Sequence, residues 1–179
     1  MNKTDLTIEG IFKSLDAWRE ERGLQRTVGN IAANIGEEIV EYLCAENDEQ
    51  RIDALCDIFV FSVNARYAMG EIDQHDFMEL LSDNPPLYKI NFIFHLCTHF
   101  PYLLSSYDHK HTVFMIATYA KYQIEYLGYD FLIAMDETLK EIHSRTGAMN
   151  EATGKWEKFK TEEAMALWYK ADYSKAKVA

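Results

Sequence analysis

Proline is scarce in this sequence, with three residues in 179, two of them adjacent at 85 and 86, and glycine contributes only eight. Turn-rich β folds draw heavily on both, so helices are favoured over a β sandwich or barrel. Cysteine is as sparse. Cys44, Cys56 and Cys97 show no Cys-x-x-Cys pair, and each sits in an apolar helical stretch. They are expected as small buried hydrophobes in a reducing compartment. No run of about 18 uncharged apolar residues occurs, so no segment is expected to span a membrane. The first residues, MNKTDLTIEG, lack the apolar run of a signal peptide, and the expected location is cytoplasmic. Basic residues are outnumbered 18 to 29, for a net charge of -11. A chain this acidic repels nucleic-acid backbones, and no nucleic-acid partner is expected. There is no Walker loop and no Gly-x-Ser-x-Gly elbow.

What is present is ordinary globular material, 48% hydrophobic and 26% charged, enough for one domain over 1–179 with its own core. Apolar residues at helical spacing predict a helix over 5–22 (Ile8, Ile11, Phe12, Leu15, Trp18), capped by Thr4 or Asp5 and closed by Gly23. A second helix is predicted over 27–45, with Val28, Ile31, Ile35, Ile39 and Leu43 as its apolar face. After the short polar link 46–48, a third is predicted over 49–69 (Ile52, Leu55, Cys56, Phe59, Val63), returning antiparallel beside the second. The middle, 71–128, reads as added helices: a short one over 71–81, a break at Asn84-Pro85-Pro86, then helices over 90–104 and 112–127. Its crowded Tyr and Phe side chains are expected in the core or at a subunit interface. A last long helix is expected over 130–144. Beyond it come a loop over 148–154, a short helix over 161–170 and an irregular end.

The second and third helices carry the chemistry. Glu38 and Glu41 share a face, with Glu37 one turn from Glu41. On the third helix, Asp53, Asp57 and Asn64 fall within a narrow arc, and Glu49 extends it. A solvated face would mix in Lys and Arg, but Arg51 and Arg66 point elsewhere. The short link brings the two acidic groups within reach of each other. All the donors are oxygens, with no His or Cys, which suits a hard cation: Mg²⁺, with Mn²⁺ as the alternative, and not Zn²⁺.

The run GEEIVEYLCAENDEQRIDALCDIFVFSVNAR, residues 36–66, resembles the all-α nucleoside triphosphate pyrophosphohydrolases of the MazG type, whose signature is Glu-x-x-Glu, a gap, then Glu-x-x-Asp. Glu38 and Glu41 match the first pair and Asp57 the final Asp. Val63-Asn64-Ala65-Arg66 resembles the segment that follows. Ala54 stands where the pattern has its second Glu, and the neighbouring Asp53 is the expected substitute. The segment from Ser144 onward is similar to the tail of phage-type members. The resemblance implies an all-α, MazG-like helical bundle with a four-helix core, a helical hairpin inserted at 71–128 and a C-terminal tail over 148–179. It implies hydrolysis of a nucleoside triphosphate, a purine deoxynucleotide such as dATP or dGTP being the guess, to the monophosphate and pyrophosphate. Glu38, Glu41 and Asp57 would hold Mg²⁺ with Asp53 assisting, and Glu37 or Glu38 would accept a proton from the attacking water. Asn64 would orient a ligand or bind the nucleotide. A homo-oligomer, dimer or tetramer, is implied as well. Apart from the resemblance, Lys155, Lys158, Lys160, Lys170, Lys175 and Lys177 concentrate positive charge in the tail, and Lys155 and Lys158, which flank Trp156, are the favoured substrate-binding pair for a triphosphate.

Two other readings stay open: a degenerate relative that binds nucleotides without turnover, and a helical interaction protein whose acids are merely solvated. His95 and His99, in an apolar run with no acid nearby, are expected as packed side chains. His109 and His111 are expected in a loop.

Overall fold

The computed structural model describes residues 4–24, 28–65, 78–79, 81, 92–104, 109–152 and 155–178. These form the helices α1 (Ile8–Glu21), α2 (Val28–Cys44), α3 (Asp48–Ala65), α4 (Phe92–Leu104), α5 (His109–Tyr126) and α6 (Phe131–Ser144). The strands β1 (Gly147–Asn150) and β2 (Lys155–Lys158), the short helix α7 (Glu162–Ala166) and a 3-10 turn (Tyr173–Ala176) follow. The chain is therefore all-α but for one small hairpin. No described helix is long and apolar enough to cross a membrane.

Thr7, rather than Thr4 or Asp5, caps α1: its hydroxyl accepts the Gly10 amide at 3.0 Å, a contact worth about 1 kcal/mol over alanine. The helix stops before Gly23, whose φ of +56° lies in the left-handed region that glycine enters freely. Ile11, Phe12, Leu15 and Trp18 are buried. Only residues 45–47 separate α2 from α3, and the two helices pack side by side. The Asn47 side chain accepts the Gln50 amide at 3.0 Å and starts α3.

Everything else is arranged around α3. It touches α1, α2, α5, α6 and the 3-10 turn. Its Ile52, Leu55, Cys56, Phe59 and Val63 are buried, and so are Ala54, Ile58, Val60 and Ser62 on its other sides. A helix packed on most of its sides is apolar on most of them, and the acids Asp53 and Asp57 lie on the remaining face. Phe59 meets Phe131 of α6 edge to face, with centroids 4.9 Å apart. α5 is no appendage, because it lies along α3 with Val113, Ile116, Ala117, Ala120 and Ile124 buried. The helix expected over 71–81 and the break at 84–86 lie largely outside the described residues.

Several expectations change. On α2, Ile31 and Ile35 are buried and Ile39 partly so, but Leu43 is 59% exposed and Val40 58%. The end of α2 projects past the core, so helical spacing there does not mean burial. Cys44 is exposed for the same reason, while Cys56 is buried; the Cys97 side chain lies outside the described residues. Of the stretch expected as a loop, residues 148–150 belong instead to β1, which pairs antiparallel with β2 with Gly147 opposite Lys158. Gly147 admits no side chain, since a Cβ there would overlap the Trp156 ring and the Glu157 carbonyl. His111 is on α5, not in a loop, with its ring 6.4 Å from that of His99. His95 and His99 lie against Tyr119, at 4.8 and 5.5 Å between centroids. The C-terminal segment, expected as irregular, is irregular apart from the 3-10 turn, yet it is tied to the fold. Asp130 donates its amide to the Ala176 carbonyl at 2.7 Å, Val178 to Gly128 at 2.8 Å, and Tyr173 and Ala176 are buried.

Removing the Phe59 ring would hollow the junction of α3 and α6. Phe59→Ala should cost about 3–5 kcal/mol. At about 2–4 °C per kcal/mol for a chain of this size, that lowers Tm by roughly 6–20 °C. Thermal circular dichroism measures it, and a loss under about 1 kcal/mol would contradict this core.

Candidate functional site

The packing of α2 on α3 puts Glu38, Glu41, Asp53 and Asp57 in one electrostatic field. Glu38 is half-buried, and its pKa is pushed up to about 8, by burial most of all and then by Asp57, Glu41, Asp53 and Glu37. None of these influences favours its charge. Asp57 is raised to about 7, again by burial first and then by Asp53, with Glu141 and Glu41 adding and Arg145 opposing. Asp53 reaches solvent, yet partial burial of its carboxyl still raises it, against a hydrogen bond from the Tyr173 hydroxyl at 2.8 Å. Glu37 and Glu41 are exposed along the rim. Ala54 is 1% exposed and turned into the core, so on α3 it is Asp53, not position 54, that supplies the acid next to Asp57.

The donor set fits a hard divalent cation. It is made of carboxylate oxygens, and Glu38 and Asp57 are raised by burial first and then by neighbouring carboxylates, whose negative charge a cation would neutralise. Glu38, Glu41 and Asp57, with Asp53, are the residues that would hold it. Among the described residues, no three His, Cys, Asp or Glu side chains meet as a preformed ligand set.

Beside Asp57 opens a cavity of about 260 Å³. Trp18, Phe61 and Trp156 give it aromatic walls, while Arg145 and Lys158 give it positive charge. Its frame is well tied. Trp18 donates its indole N–H to the Ile142 carbonyl at 3.2 Å. Arg22 lies over both Trp18 and Trp156, at 5.5 and 5.1 Å, and donates to the Arg145 carbonyl at 3.2 Å. Arg145 is paired with Glu141 at 2.7 Å. Lys158 is held below its ordinary pKa by burial first and then by the charges of Arg145 and Lys160.

No protein-family model, no curated protein and no solved structure matches this chain. The site must therefore be judged on its own chemistry.

The sequence-predicted substrate residues are placed unevenly. Lys158 lines the cavity. The Lys155 side chain lies outside the described residues. Asn64 is 1% exposed, two turns beyond Asp57, and its amide has no hydrogen-bond partner among the described residues. It is enclosed in protein, not presented at the cleft. Of the remaining tail lysines, Lys175 is spent on Glu137 at 3.1 Å. Sequence reasoning missed Glu141, Arg145, Trp18, Trp156 and Tyr173 as site residues. Glu141 and Arg145 had a usable signal, an i,i+4 acid–base pair on the last helix. The others are brought in by long-range packing and had none.

The raised carboxylates set a pH dependence. Both bind a proton more tightly folded than unfolded, so the folded state carries extra protons between their ordinary pKa values and the raised ones. Stability is then greatest at the acidic end and is lost as pH rises through the raised values. Without divalent cations, Tm should fall from about pH 5 to about pH 9. Glu38→Gln should flatten the fall. A Tm that stays level or climbs over that window in the parent chain would show that the acids do not confine one another.

Proposed function

We propose that this chain is a Mg²⁺-dependent nucleoside triphosphate pyrophosphohydrolase built as a MazG-type helical bundle, converting a nucleoside triphosphate to the monophosphate and pyrophosphate. The observation that carries the proposal is the double position of Asp57. It belongs to the acidic field of α2 and α3, and it also lines a cavity with cationic and aromatic walls. A nucleotide has matching parts: phosphates that need positive charge, and a flat base that stacks on aromatic rings.

Within this proposal, Arg145 and Lys158 meet the phosphate charge, and Trp18, Phe61 and Trp156 receive the base. Bound Mg²⁺ supplies positive charge to the phosphate oxygens and lowers the pKa of a water. Glu37 or Glu38 would accept the proton of that water, Glu38 doing so only in the ionised form that a neighbouring cation favours. The water oxygen adds to the α-phosphorus, the bond to the bridging oxygen breaks, and pyrophosphate leaves. The resemblance over 36–66 supports the same chemistry. A second reading, nucleotide binding without turnover, is favoured by Ala54, which stands where the resembled pattern has its second Glu and is buried in the core.

The test is incubation with a panel of ribo- and deoxynucleoside triphosphates and Mg²⁺, with product analysis. Monophosphate and pyrophosphate in equal amounts are expected. Glu41→Gln and Asp57→Asn should each lower turnover by at least about 100-fold while leaving the circular dichroism spectrum intact. Nucleotide binding without product would select the second reading. A panel that neither binds nor reacts would end the enzyme proposal.

A further inference from the structure

One buried carboxylate is not part of the acidic field. Glu137 of α6 is almost wholly enclosed, and every partner it has holds the C-terminal segment or its own helix. It accepts the Tyr169 hydroxyl, the Asp172 amide at 3.1 Å, Lys175 Nζ at 3.1 Å and Lys140 Nζ at 2.9 Å. Burial alone would raise its pKa, but these partners outweigh burial and hold it at about 2. Along the same helix, Glu141 accepts the Ala171 amide at 2.9 Å and the Ser144 hydroxyl accepts the Tyr169 amide at 2.8 Å. Three side chains of α6 thus grip residues 169–172.

The next residue beyond that grip is Tyr173. It is 5% exposed, so its ring is fixed by packing. Its hydroxyl donates to Asp53 Oδ1 at 2.8 Å and lies 3.1 Å from Thr138 Oγ1. The grip therefore delivers one hydroxyl donor to one oxygen of one carboxylate in the acidic field. Asp53 needs such an anchor. Rotation about its side-chain bonds would move its carboxyl, and Glu141 and Glu41 set like charge around it while Arg145 opposes them. A charge-assisted hydrogen bond from a rigid phenol opposes that rotation and leaves the second oxygen free.

We propose that the segment 169–176 is a built part of the carboxylate site, and that Tyr173 is a positioning residue that orients Asp53 toward a divalent cation shared with Asp57. This inference rests on the proposed function. Tyr173 touches neither substrate nor reacting atoms and acts only through Asp53. Partners of this kind typically change metal affinity by roughly 10- to 100-fold.

The experiment is titration of the full-length, metal-stripped protein with magnesium chloride alone, by calorimetry and by the Mg²⁺-induced rise in Tm. Tyr173→Phe keeps the ring and removes only the donor. It should weaken Mg²⁺ binding by roughly 10- to 100-fold and shrink the Mg²⁺-induced rise, with little change in metal-free Tm. In an Asp53→Asn background, Tyr173→Phe should have no further effect on Mg²⁺ binding. Should Tyr173→Phe fail to fold, Lys175→Ala loosens the grip from the exposed side and should weaken Mg²⁺ binding in the same direction. Wild-type Mg²⁺ affinity in Tyr173→Phe, or in Lys175→Ala where that variant stands in, would overturn the inference and leave the proposed function standing. An equal loss with and without Asp53 would overturn it as well. A parent chain that shows neither Mg²⁺ binding nor turnover would remove both.

Discussion

The structure depends on one constraint: two carboxylates, Asp53 and Asp57, are carried by the helix around which the core is assembled. α3 is apolar on nearly every side because helices press on nearly every side. Its Asp53 and Asp57 share an electrostatic field with Glu38 and Glu41 of α2. Burial and mutual repulsion both act against ionisation there, and that is why Glu38 and Asp57 stand so far above ordinary carboxylates. Such an arrangement costs stability in the absence of a counter-charge. A globular protein gains nothing from it by packing alone, which makes the cluster a functional feature more readily than a structural one.

The counter-charges present are placed to one side. Arg145 opposes the shift of Asp57, but it is itself tied to Glu141, and Lys158 stands beyond it. The result is a gradient across the cleft, from carboxylates at α2 and α3 to cations at the end of α6 and on β2. Trp18 and Trp156 close the space between, locked by Arg22. That polarity would orient a nucleotide of the proposed kind, with phosphates toward Arg145 and Lys158 and base toward the rings.

The C-terminal segment gives this arrangement its stiffness. A tail of scattered lysines and aromatics reads as solvated chain, yet Glu137 converts it into part of the fold. One buried carboxylate collects a phenol, an amide and two ammonium groups, and each would be costly to leave unmade once the others are in place. Through Tyr173 the same segment reaches α3, so residues 169–176 and the first half of the central helix belong to one hydrogen-bonded unit.

Sequence alone determined the all-α class, the starts and stops of α1, α2 and α6 to within a few residues, and the pairing of α2 with α3. These follow from local physics: helical spacing of apolar residues, caps, and a link too short for any other path. It also pointed to Glu38, Glu41, Asp53 and Asp57, because spacing on a helix fixes which side chains share a face. It could not tell that Leu43 and Cys44 project beyond the core, that α5 lies along α3, or that Asn64 is sealed inside. Nor could it bring Trp18, Arg145, Trp156 and Tyr173 to Asp57 and Asp53, since they come from segments up to 120 residues away in the chain. Helical period sets the face a side chain occupies, but only the packing of distant helices decides what stands opposite that face.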